Sequence, residues 1–117
     1  MADDFRTTEV GGRYAQALFD LADETGALDA VRADLAALKA AWLDRADLRR
    51  LATSPVMASA DQAKGLVAIA DKAKFNATTR NFLGLLAQNG RASDLPGVIA
   101  GFEALYAKKT GVVAAEV

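Results

Sequence analysis

The sequence predicts an all-α protein, a compact bundle of six helices. Three observations predict it. Alanine and leucine dominate while runs of β-branched residues are scarce. Apolar residues recur at steps of three and four, the spacing that keeps side chains on one helical face. Glycine, asparagine or proline punctuates the chain at short intervals, where helices would stop. With 117 residues, 52% hydrophobic and 25% charged, the chain is one domain, able to fold around its own core and too apolar for disorder.

The first helix is expected from about Val10 to Thr25, where Tyr14, Ala17, Leu18, Leu21 and Ala22 recur at helical spacing. Gly26 then supplies the left-handed residue that commonly closes a helix. The second runs from about Leu28 to Asp44. Its Leu28, Val31, Leu35, Leu38 and Trp42 step by three, four, three and four, a core-facing seam that Trp42 closes. A short third helix, Ala46 to Thr53, uses Leu48 and Leu51 and stops before Ser54-Pro55, because the residue preceding proline disfavours the helical region. Ser59 and Gln62 form a capping-box pattern that opens a fourth helix through Ala63, Leu66, Val67 and Ala70.

Asn76 is a good N-cap for the fifth helix, which carries "NFLGLLAQNGR" and ends at Asn89-Gly90. Gly84 inside it marks a close helix approach or an untuned surface position. Ser93 caps the sixth, whose inner face is Leu95, Val98, Ile99, Phe102, Leu105 and Tyr106; Lys108 and Lys109 suit its negative C-terminal end, and Gly111 stops it. The last residues, "GVVAAEV", favour β-structure and show no helical period. The expected division is therefore a six-helix domain over residues 1–110, with residues 111–117 opening a second domain that lies beyond this chain.

Composition also limits the chemistry. Histidine and cysteine are both absent, removing the usual general base, the best nucleophile and the commonest metal ligands. The net charge of −1 argues against a concentrated basic face for nucleic acid. Arg45, Arg49 and Arg50 interleave with Asp44 and Asp47 and read as a solvated, salt-bridged face. Asp20, Asp23 and Glu24 read as exposed carboxylates before a helix stop. No apolar run approaches the ~20 residues of a spanning helix, and "MADDFRTTEV" does not read as a secretory signal. No catalytic, cofactor or metal site is expected.

Three blocks in order carry a resemblance that covers nearly the whole chain: "RYAQALFDLA", "NFLGLLAQNGR" and "LPGVIAGFEALYAKKTGVVAAEV". Together they resemble the N-terminal domain of the delta subunit of bacterial F-type ATP synthase, the counterpart of the mitochondrial oligomycin-sensitivity-conferring protein. The resemblance implies a non-catalytic stator role. It implies a domain at the crown of the catalytic head that receives N-terminal segments of alpha subunits, at least one as an amphipathic helix. It also implies a second domain, absent here, that meets the b subunits of the peripheral stalk. The place implied is peripheral, on the cytoplasmic face of a bacterial membrane, without direct membrane insertion or nucleic acid.

The resemblance places a docking furrow between the first and fifth helices. Candidates on the first are Tyr14, Ala17, Leu18 and Leu21. On the fifth, Leu83 and Leu86 are expected in the core, whereas Thr78, Phe82, Leu85 and Asn89 follow an adjoining line of four, three and four. Leu85 is the leading furrow residue and Phe82 is shared between furrow and core. Two other classes compete: a death-domain-like helical adaptor, which would pair through charged patches, and an RNA-binding bundle, whose binding would depend steeply on salt. An enzyme built from carboxylates alone is the weakest.

Overall fold

The computed structural model describes residues 5–111, so the expectation for 112–117 lies outside the described residues. Every regular element among the described residues is helical: α1 (Glu9–Glu24), α2 (Leu28–Asp44), α3 (Ala46–Thr53), α4 (Ser59–Lys72), α5 (Ala77–Gln88) and α6 (Leu95–Thr110). A single 3₁₀ turn, Ala92–Asp94, leads into α6. Six helices stand where six were expected.

Their ends follow local chemistry. Thr8 Oγ1 accepts the Gly11 N–H at 2.9 Å and starts α1. After α1 the chain turns through Gly26 at φ +73°, and the Ala27 N–H returns to the Ala22 carbonyl at 2.8 Å. Asn76 caps α5 as expected, its side chain accepting the Thr78 N–H at 2.9 Å. Gly90 and Gly111 take the left-handed positions after α5 and α6. The turn after α4 has no glycine; Lys74 adopts φ 60° there instead.

Two capping expectations are corrected. Ser59 does not cap α4: the N-cap is Ala58, without a side-chain bond. Gln62 faces away from its own helix start and donates to the carbonyls of Leu51 at 3.1 Å and Ala52 at 3.4 Å, serving the end of α3. Those carbonyls have no partner within their own helix, and a buried amide finds them before it finds Ser59. Ser93 likewise does not cap α6; the 3₁₀ turn intervenes and Asp94 occupies the N-cap without a side-chain bond.

The core centres on α6, where Leu95, Val98, Ile99 and Phe102 are all 0% exposed. Phe19 of α1 meets Phe102 edge-to-face, ring centroids 5.6 Å apart. Val31, Leu35, Leu38 and Trp42 of α2 are buried as a continuous seam. Each fully buried leucine or phenylalanine contributes about 1.5–3 kcal/mol through desolvation.

Two helix pairs dominate the packing, α1 with α6 and α4 with α5. The first is close because it is built on glycine. A Cβ on Gly11 would lie 2.8 Å from the backbone carbon of Gly97, and one on Gly101 would lie 2.9 Å from Ala15 Cβ. In the second, a Cβ on Gly84 would meet Val67 Cγ2 at 3.2 Å, so this glycine does mark a close helix approach.

Candidate functional site

Since α1 is held by α6 and α5 by α4, α1 and α5 touch each other only lightly. Tyr14 bridges the two helices: its ring lies edge-on to Phe82, centroids 6.2 Å apart at 71°, and its hydroxyl accepts a hydrogen bond from Asn89 Nδ2 at 3.1 Å. Leu85 lies between Phe82 and Asn89 on one helical line of α5. It is 52% exposed.

On α1, Ala17 is exposed and Leu21 is 46% exposed, one turn and two turns beyond Tyr14. Thr78 is half-buried at the start of α5. Tyr14, Ala17, Leu21, Leu85 and Asn89 thus present accessible surface, while Phe82 is 7% exposed and packs against Tyr14. Leu83 and Leu86 are 0% exposed, in the core.

Leu18 is corrected. It is 1% exposed and packs in the core rather than on the furrow. One residue is a 100° step around a helix, which turns Leu18 inward beside Ala15 and Ala22 while Ala17 and Leu21 stay outside.

Val10, Arg13 and Arg91 join Tyr14 and Ala17 around a hollow of about 340 Å³ at the start of α1. Val10 was legible in principle, four residues before Tyr14 on the same stripe. Arg91 was not, because the turn at Asn89-Gly90 alone decides where it emerges.

Two other hollows lie elsewhere. One, of about 410 Å³, is lined by Trp42, Arg49, Thr53 and Asp94 among others; there Arg49 already donates to the Trp42 carbonyl. The other, of about 360 Å³, lies over Ala41, Leu48, Leu51 and Ile69. The hollow at the start of α1 differs from both in taking in two of the expected docking residues, Tyr14 and Ala17.

Polar side chains brace the helices against one another. Asp71 of α4 pairs with Arg80 of α5, and this hydrogen bond holds the guanidinium pKa above its usual value. Tyr106 of α6 donates to Asp29 at 2.7 Å, which raises the phenol pKa, while Arg32 lies 4.5 Å over its ring and opposes that rise. Asp23 pairs with Lys109 at 3.6 Å, and Asp20 accepts from Gln16 at 3.0 Å. Among the described residues no group of three or more potential metal ligands comes together. No helix among them is long and apolar enough to cross a membrane.

The sequence from residue 10 to residue 117 matches the family described as the ATP synthase delta (OSCP) subunit. The chain belongs to that family. Similar members of the delta subunit family include the ATP synthase subunit delta of Phenylobacterium zucineum, 61% identical over 103 residues, which cover 88% of this chain and 56% of that protein. The subunit delta of Caulobacter vibrioides is 54% identical over 117 residues, 100% of this chain and 64% of that protein. That of Rhodospirillum rubrum is 46% identical over 110 residues, 94% of this chain and 59% of that protein. The chain therefore spans between 56% and 64% of the length of these delta subunits.

Proposed function

We propose that this domain is the head-binding part of an ATP synthase stator, and that its furrow receives an N-terminal helical segment of an alpha subunit. The role is mechanical, not catalytic. It holds the catalytic head against rotation while residues beyond this domain connect to the b subunits of the peripheral stalk. The place of action is peripheral, at the cytoplasmic face of a bacterial membrane.

The observation that supports this reading is the exposure of Leu21 at 46% and Leu85 at 52% on α1 and α5, two helices that Tyr14 joins through Phe82 and Asn89. An amphipathic helix laid between them would cover both, the helix-in-groove mode of recognition. Ala17 lies between Tyr14 and Leu21 on the α1 stripe, and its small side chain lets a partner backbone come close. Tyr14 would anchor the other end with a broad ring and a hydroxyl at the rim.

Calorimetric titration with a synthetic alpha-subunit N-terminal peptide tests the reading. The parent chain should bind it, burying on the order of 1,000 Å² or more in total. Ala17→Glu and Leu85→Glu should each weaken binding at least tenfold, the effect of about 1.4 kcal/mol, with the helical circular dichroism unchanged. Binding at parental strength by both variants would place the partner elsewhere.

A further inference from the structure

An apolar trough alone does not tell a docked helix which way to lie. The charges at the two ends of this one do. At the Val10 end, Arg13 and Arg91 both line the hollow that also takes in Tyr14 and Ala17. Both are exposed, and no ion pair among the described residues holds Arg91. Arg13 pairs with Glu9 at 3.3 Å, but their side chains are 76% and 82% exposed. An ion pair this open holds its partners weakly and yields to a competing carboxylate.

Two turns along α1 the sign reverses. Asp20 and Glu24 flank Leu21, and Glu24 makes no ion pair among the described residues. The α5 cation Arg80 is already engaged by Asp71. The exposed charge along the α1 stripe thus runs from positive at Arg13, beside Arg91, to negative at Asp20 and Glu24.

Resting on the furrow reading above, we infer that Arg13 and Arg91 fix the polarity of the docked helix by receiving acidic side chains at one of its ends. The occupant is an amphipathic helix whose acidic end lies over Val10 and Tyr14. Its neutral or basic end lies over Leu21. In the reversed pose its carboxylates would face Asp20 and Glu24, a like-charge juxtaposition that disfavours the wrong register. The apolar stripe supplies affinity, and the charge gradient supplies direction.

The test uses the 117-residue chain and the synthetic alpha-subunit N-terminal peptide, nitroxide-labelled in separate samples at its acidic end and at its opposite end. Paramagnetic broadening from the acidic-end label should fall on the amides of Val10, Arg13 and Arg91. Broadening from the opposite label should fall on Leu21 and Glu24. The double variant Arg13→Glu with Arg91→Glu should bind about tenfold more weakly at low salt, as two exposed ion pairs turn into repulsions. That difference should vanish at about 1 M salt, where screening acts within ~3 Å.

Reversed or mixed broadening, a double variant that binds like the parent at low salt, or equally tight binding of a peptide without acidic residues would each overturn the inference. Leu85→Glu separates the two levels. If it abolishes binding while the arginine variant leaves binding untouched, the furrow stands and its polarity falls. If the parent binds no peptide at all, both fall together.

Discussion

One carboxylate oxygen of Asp34 joins α2 to the start of α5 twice. It accepts the Asn76 N–H at 2.9 Å and the Thr79 hydroxyl at 2.7 Å. Thr79 is 0% exposed, so losing its acceptor would leave a buried donor without a partner. Asp34→Ala should therefore destabilise the fold by about 2 kcal/mol, measured by urea denaturation. A change within 0.5 kcal/mol would mean that water replaces the carboxylate. Tyr106 offers a pH-dependent counterpart. Its pKa is higher in the folded than in the unfolded chain because it donates to Asp29. Its contribution is thus complete below the ordinary phenol range and lost as pH rises through the raised folded value. Melting temperature followed from pH 8 to pH 11 should fall more steeply for the parent than for Tyr106→Phe; parallel curves would remove this tie from the account.

At the scale of elements, the crossing of α1 and α6 makes a prediction that distinguishes neighbouring glycines. A Cβ at Gly11 meets backbone at 2.8 Å, whereas one at Gly12 meets only the Thr7 methyl at 3.6 Å. Gly11→Ala should destabilise by about 1–3 kcal/mol through overpacking. Gly12→Ala should stabilise by up to ~1 kcal/mol through helix propensity. Thermal unfolding of the two variants checks both signs, and equal effects would contradict the close crossing. The same elements show where sequence reading reaches its limit. Periodicity located α2 to the residue, and α3 stops as expected before Ser54-Pro55. The Ser59–Gln62 pattern misled because Gln62 answers α3, a tertiary partner that no local pattern encodes. Leu18 was misplaced because a stripe read from spacing cannot separate faces one residue step apart. The glycine crossing needed the partner helix to become visible, and the turn that sets Arg91 beside Arg13 carries no periodicity.

For the whole molecule, packing divides between α1 with α6 and α4 with α5, and the proposed partner would lie along the boundary between these pairs. A joint that bears mechanical load needs the two walls to be rigid and the seam between them to be filled. The glycine-built crossing stiffens one wall; the close approach at Gly84 and the Asp71–Arg80 pair stiffen the other. The exposed apolar side chains at that boundary form the proposed site. The most direct measurement of this claim is a map of amide chemical shifts of the chain as the alpha-subunit N-terminal peptide is added. The account predicts that the largest changes cluster at Tyr14, Ala17, Leu21, Leu85 and Asn89, with α2 and α3 nearly unmoved. Changes centred instead on Leu48, Leu51 and Ile69 would contradict it.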